Sequence, residues 1–171
     1  MSAAPKNDLP PIHRIVTSHD DKGQAKVWIE DEVPNISPPG FTDGVSFGLA
    51  WTTNSVPADC QTEVDGRTLP IGELTNESGS VLRYVDMPPN HLSPMHRTIS
   101  LDYGFLLFGE IDLVLDDGTT RSMKPGDVCV QRGTTHAWHN KSDKWARMVY
   151  VLLPSKPIEI DGKPLGAISI H

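Results

Sequence analysis

The chain has 171 residues, with 22 acidic side chains against 15 basic ones and a formal net charge of -7. That balance, with no Lys/Arg run, argues against nucleic acid and against an anionic membrane as partners, and the length suits one domain with a substantial core. Fifteen prolines and fourteen glycines point to many turns and short strands, an all-β chain rather than a helical one.

Residues 1–11 are polar and proline-rich and are expected to form a flexible arm, leaving 12–171 as a single domain. The start lacks the apolar core of a signal peptide, and no run approaches the ~18 apolar residues that span a bilayer. Cys60 and Cys129 stand far apart, so neither a disulfide framework nor a C-x-x-C site is expected; a reducing cytoplasmic location follows. HRIVTSH and QAKVWIE, joined by DDKG, read as a hairpin at the start of the fold. EDEVPNISPPGFTDG has too many prolines for regular structure, and VSFGLAWTT gives another strand. From Asn54 to Ser80 the chain is turn-rich without a clear period, a long excursion of the kind that is often functional. Short strands then follow through SVLRYVDMP, HRTISLDYGFLLFG, EIDLVL, TTRSM, DVCVQRG, THAWHN and ARMVYVLLP, with an Asp-Gly turn after EIDLVL. A tail from Ser155 carries a second turn at EIDGKP and is expected to cross a sheet edge or a subunit interface. The pattern is that of a double-sheet jelly-roll barrel with extra N-terminal strands.

If HRTISLDYG is one extended strand, alternation puts His96, Thr98, Ser100 and Asp102 on one face, continued by Leu106 and Phe108. Such a row suits the lining of a barrel mouth. His136 and Trp138 share a face of a later strand, with Met148 and Tyr150 closing the floor. Trp51, Trp138 and Tyr103 are candidates for an aromatic wall around a planar ligand. Arg83 is a candidate for a carboxylate or carbonyl group, whereas Arg97 points outward by parity and Arg132 sits in a turn. His139 falls on the face opposite Trp138, His91 reads as a solvated loop histidine, and His13, His19 and His171 carry no positional argument.

The segments around His96 and His136 resemble the two motifs of the cupin superfamily. In the first, H-x-H-x3-E-x6-G, His96 matches the first histidine, Asp102 the glutamate and Gly109 the glycine, while Thr98 stands at the second histidine. The second ends in G-x2-H-x3-N, matched by Gly133, His136 and Asn140 behind the turn Pro125-Gly126-Asp127. Over about His13 to Ile160, with core motifs in 80–154, the chain is similar to cupin-domain proteins, often labelled oxidoreductases, of fungal polyketide clusters and their bacterial relatives. The resemblance implies a single-domain cupin, a double-stranded β-helix. One fold hosts many reactions, so it does not by itself fix the chemistry.

By that match, His96, Asp102 and His136 would be the ligands of one divalent transition metal, Fe, Mn, Zn, Ni or Cu, since two imidazoles and a carboxylate form a suitable set with open positions. Thr98 is a poor substitute for an imidazole ligand, and Asp102 is one methylene shorter than glutamate. The competing reading has no metal and uses the same three residues for general acid/base catalysis. Two functions stay open: a tailoring enzyme of secondary metabolism acting on a small polyketide-type molecule by dehydration, isomerisation, decarboxylation or oxidation, and a non-catalytic module that holds a hydrophobic metabolite or assists a synthase. Uncovered sheet edges lead to the expectation of a homodimer.

Overall fold

The computed structural model describes residues 6–37, 44–72 and 74–170; parts of the expected arm and of the proline-rich loop, and His171, lie outside these. Strands β1 (Ile12–His19) and β2 (Ala25–Val33) form the expected hairpin. Its turn is closed by the Asp20 carboxylate, which accepts from the N–H groups of Lys22 and Gln24, and by Gly23 at φ 75°, a conformation glycine adopts without steric cost.

Two antiparallel sheets make the barrel. The larger runs β3 (Ser46–Thr52), β4 (Val81–Met87), β11 (Ala146–Pro154), β6 (Ser100–Phe108), β9 (Val128–Arg132), and the smaller β5 (His91–Leu92), β10 (His136–Asn140), β7 (Ile111–Leu115), β8 (Thr120–Met123). A last hairpin joins β12 (Glu159–Ile160) to β13 (Lys163–Pro164), and beyond it the tail bridges Ile168 to Arg97. This is a jelly-roll, nearly all β. Strand alternation fills the space between the sheets with Val81, Val85, Met87, Leu106, Ile111, Trp138, Met148, Tyr150 and Leu152. Burying a fully enclosed side chain such as Leu106, Ile111 or Met148 contributes about 1.5–3 kcal/mol each. Outside the larger sheet, Ile12 and Val33 of the hairpin pack on Ala50, with Leu82 and Tyr84 beside them.

Two ionic clusters fix the outer layer. Arg14 donates to both oxygens of Asp31 and of Asp65 at 2.8–2.9 Å, and the Asp65 side chain caps the 3-10 turn Gly66–Thr68, so the 54–80 excursion is tied to the hairpin. Asp86 is fully buried and takes Nε and Nη2 of Arg147 at 2.6 Å each. Its Oδ2 also accepts from the amides of Asn7 and Asn35. Arg147 donates further to the Pro10 carbonyl, and Trp145 Nε1 to that of Lys6. Residues 6–11, expected as part of a flexible arm, are thus held on the barrel, because the buried donors of Arg147 and Trp145 need acceptors, which the carbonyls of Pro10 and Lys6 supply.

Two bulges re-aim aromatic residues. In β3 the register shifts between Leu49 and Trp51, so Leu49 opposes Arg83 while Trp51 opposes Leu82. The extra residue turns Trp51 from the inner face, where simple alternation would put it, to the outer one. There it meets Trp28 edge-on, with ring centroids 6.3 Å apart. In β6 the shift beside Arg147 likewise places Phe108 opposite Arg147 instead of continuing the inward row of Leu106. Among the described residues no helix is long and apolar enough to cross a membrane.

Candidate functional site

A cavity opens between the two sheets, with about 80 Å³ available to the centres of water-sized molecules, room for a small organic ligand or several waters. One wall comes from the larger sheet: Arg83 of β4, Tyr150 and Leu152 of β11, Asp102 of β6 and Gln131 of β9. The facing wall comes from the smaller sheet and the segment leading to it: His136 and Trp138 of β10, His91 of β5, and His96. Thr98, Phe47 and Ile170 also line it.

The expected continuous strand through His96 and Asp102 does not form. His96 makes an isolated bridge to His136, with backbone hydrogen bonds of 2.9 and 3.0 Å, and β6 begins only at Ser100. Between them the chain passes from one sheet to the other, so the imidazole and the carboxyl stand on different walls. His96 and His136 meet with ring centroids 4.2 Å apart. In each ring Nδ1 lies 2.9 Å from a backbone carbonyl, of Pro94 and Thr134 respectively. A carbonyl only accepts, so each Nδ1 carries the proton, and the neutral ring keeps a lone pair on Nε2.

Electrostatics hold both rings in that state. Burial pushes the His136 pKa down to about 4, helped by neighbouring His96 and opposed by the Thr134 carbonyl. Burial also lowers that of His96, against the Pro94 carbonyl. On the other wall, burial raises the Asp102 carboxyl to about 6, although the hydroxyls of Ser100 and Thr98 favour its ionised form. Thr98 Oγ1 donates to Asp102 Oδ2 at 3.3 Å and accepts from Ser100 Oγ. The residue at the second-histidine position therefore serves the carboxyl.

Four buried polar atoms on the larger-sheet wall have no hydrogen-bond partner among the described residues: Arg83 Nε, Asp102 Oδ1, Gln131 Nε2 and Tyr150 Oη. Unsatisfied buried polar atoms are rare in folded proteins, and all four residues line this cavity, where a ligand or water can reach them. Tyr150 lies against Gly104, where an added Cβ would stand 2.8 Å from the ring. Burial keeps its phenol far above the ordinary pKa, so it remains a donor.

The two imidazoles, each with Nδ1 bound to a carbonyl, are oriented as metal-ligating histidines are. The rest of the expected ligand set does not fit. Among the described residues no group of three or more His, Cys, Asp or Glu side chains is placed to hold a metal ion, Asp102 faces the pair from the other sheet, and the Thr98 hydroxyl is engaged with Asp102.

Of the other expected contacts, Arg83, Thr98, Trp138 and Tyr150 line the cavity, whereas Trp51 and Tyr103 do not. Trp51 is turned away by the bulge in β3. Tyr103 alternates with Asp102 and opposes Val130 and Val151 on the outer face. His91 is the reverse case: it is buried and pairs with Asn140 in a two-residue strand, which PPNHLSP gave no periodic reason to expect. Gln131 enters as the direct partner of Asp102 across β6 and β9, a relation visible only once the strands are paired. Asn140, matched to the motif, is structural: its amide donates to the carbonyls of Met87, Pro88 and Lys144.

Titration of His136 gives a first prediction. Its depressed pKa means that the unfolded chain binds the extra proton first, so this group's share of stability is intact above pH 6.5 and is lost as the pH falls towards 4. His136→Gln should remove that loss. The difference between variant and wild type, read from urea midpoints, should move by about 3 kcal/mol in the variant's favour between pH 7 and pH 4; a constant difference would count against a neutral buried imidazole.

The cupin domain family model matches residues 83–152. Phomopsin biosynthesis cluster protein C' of Diaporthe leptostromiformis is 46% identical over 165 residues, 92% of this chain and 86% of its own length. Oryzines biosynthesis cluster protein J of Aspergillus oryzae is 37% identical, covering 97% and 96%, and the cupin-domain-containing oxidoreductase virC of Hypocrea virens is 36% identical, covering 94% and 85%. Among solved structures, the polyketide cyclase RemF from Streptomyces resistomycificus superposes with a TM-score of 0.51 over 81% of this chain and 80% of that one, at 17% identity, a likeness of fold alone.

Proposed function

This chain belongs to the cupin family, and we propose that it is an enzyme of secondary metabolism that moves a proton on a small organic molecule held between the two walls of the barrel. Similarity to proteins of fungal biosynthesis clusters supports the metabolic setting. The observation that carries the chemistry is the opposed pair of environments: a carboxyl whose pKa is raised to about 6 faces imidazoles held neutral. Titratable groups pushed apart in this way mark acid/base assignments.

Asp102, whose carboxyl burial raises to about 6, is the group that takes and returns the proton. Tyr150 Oη and Gln131 Nε2, both without a partner among the described residues, donate to the substrate oxygen on which negative charge develops when a proton leaves the adjacent carbon. From the opposite wall, Nε2 of His96 and of His136 accept from a substrate hydroxyl and orient it. The proton is then returned to another carbon, an isomerisation, or to the hydroxyl, which departs as water. Trp138, 5.7 Å from His136 and 5.9 Å from Tyr150 between ring centroids, supplies the apolar surface that spans the two walls.

The test is to incubate the purified protein with the metabolite that accumulates when its gene is deleted and to read the product mass. An isomer or a product lighter by one water is expected. Loss of two hydrogens or gain of an oxygen would overturn the reading in favour of oxidation. Binding with no conversion would leave the non-catalytic module. Near-stoichiometric metal in the wild type that disappears in His136→Ala, measured by plasma mass spectrometry, would replace the proton-transfer reading with a metal-assisted one.

A further inference from the structure

Three arginines are buried in the described structure, Arg14, Arg83 and Arg147. Two hold carboxylates in paired hydrogen bonds, Arg14 with Asp31 and Asp65 and Arg147 with Asp86. Arg83 is as buried as Arg14, at 7% exposure, yet no carboxylate among the described residues pairs with it and its Nε has no acceptor. Its one described contact of a cationic kind is the Phe47 ring, 6.0 Å from the guanidinium carbon.

The strand order explains why no carboxylate of the neighbouring strands reaches the cation. Arg83, Tyr150 and Gly104 are successive partners across β4, β11 and β6, and the Tyr150 ring lies over the space that a side chain at Gly104 would fill. Asp102 is one step further along β6, beyond that ring, with its nearest polar contacts to the hydroxyls of Thr98 and Ser100. Tyr150 therefore separates a guanidinium from a carboxyl in the same cavity. A buried charge without a partner is strongly unfavourable, and the guanidinium fork matches a carboxylate in a way no neutral group does. Around it the wall is apolar, from Phe47, Val85, Trp138 and Leu152, which suits an organic body rather than an inorganic anion.

We propose that the ligand of this cavity is an organic carboxylate and that Arg83 is the residue that selects it, by pairing with the carboxylate while the hydrocarbon part lies against Trp138 and Phe47. The assignment rests on this cavity being the ligand site, as in the proposed function, but not on the reaction that follows. It adds a substrate class, and Asp102 then addresses a carbon near the anchored acid.

Benzoate and benzamide, which share shape and differ in charge, provide the test by calorimetric titration in chloride-free buffer. Wild type should bind benzoate at one site, at least about tenfold more tightly than benzamide. Arg83→Met should abolish that preference, Arg83→Lys should keep part of it, and Arg83→Gln gives the same readout as Met if the Met variant does not fold. Arg83→Met is expected to melt at a higher temperature than wild type, because a buried charge that no described carboxylate pairs with is replaced by an apolar side chain of similar length. Equal affinity for the two probes, no benzoate binding at millimolar concentration, or a preference that survives in Arg83→Met would each overturn the proposal. No turnover is needed, so a failed preference with a successful mass-shift assay rejects the carboxylate anchor alone. The reverse outcome rejects the proton-transfer reading alone.

Discussion

Asp102→Asn is expected to lower turnover by about 10²–10⁴-fold, the range general acid/base groups contribute, while making the protein more stable at neutral pH. The second effect follows from the sign of the pKa shift. Burial raises the carboxyl to about 6 from an ordinary 3.8, so between these values the folded state binds more protons than the unfolded one. This group's stabilising share is present below pH 3.8 and is lost as the pH rises through 6. At pH 7.5 the folded protein holds a desolvated charge at a cost of about 3 kcal/mol, and an asparagine avoids it. Urea unfolding should show the gain at pH 7.5, and the gain should vanish below pH 4, where the wild-type carboxyl is itself neutral. Such a group, costly in the fold, suits a functional role. A variant that is no more stable than wild type at pH 7.5, or equally more stable at both pH values, would remove the raised carboxyl, and full turnover in that variant would remove its catalytic part.

Asp86→Ala is expected to cost about 3–5 kcal/mol, the penalty for breaking a buried ion pair from one side. Arg147 would stay buried with its two carboxylate bonds gone and only the Pro10 carbonyl left. The amides of Asn7 and Asn35 would lose their acceptor too, so residues 6–11 should become more open to proteolysis. Adding Arg147→Met to Asp86→Ala should restore much of the loss, since removing both charges leaves no uncompensated ion. Chemical denaturation of the two single variants and the double variant forms a cycle, and additive losses would show that the pair contributes little as a pair. The cluster lies outside the cavity, on the outer face of β4 and β11. Melting temperature should therefore fall in Asp86→Ala with turnover per folded molecule unchanged.

Strand positions were readable because hydrophobic alternation and Gly/Pro punctuation are local properties: the first hairpin, the Asp-Gly turn and the strand around Met148 and Tyr150 all follow from nearest neighbours in the chain. His136 and Trp138 shared a face for the same reason, and His96, Asp102 and His136 all reach one cavity. The bulge that turns Trp51 outward is set by pairing between β3 and β4. The crossing between His96 and Ser100 is set by the bridge to His136 and by the tail at Ile168. Neither has a signature in its own few residues, because an extra residue in one strand is defined only against its partner.

By itself, then, the sequence determined an all-β barrel of the cupin kind, most of its strand positions and three residues that line its cavity, since period, turn chemistry and motif spacing are written along the chain. Only the tertiary structure decided that the carboxyl and the imidazoles oppose one another across two sheets, that Gln131 stands beside Asp102 and that Arg83 lacks a carboxylate among the described residues. These depend on which strands become neighbours and on the depth of burial, and burial is what moves the Asp102 and His136 pKa values in opposite directions.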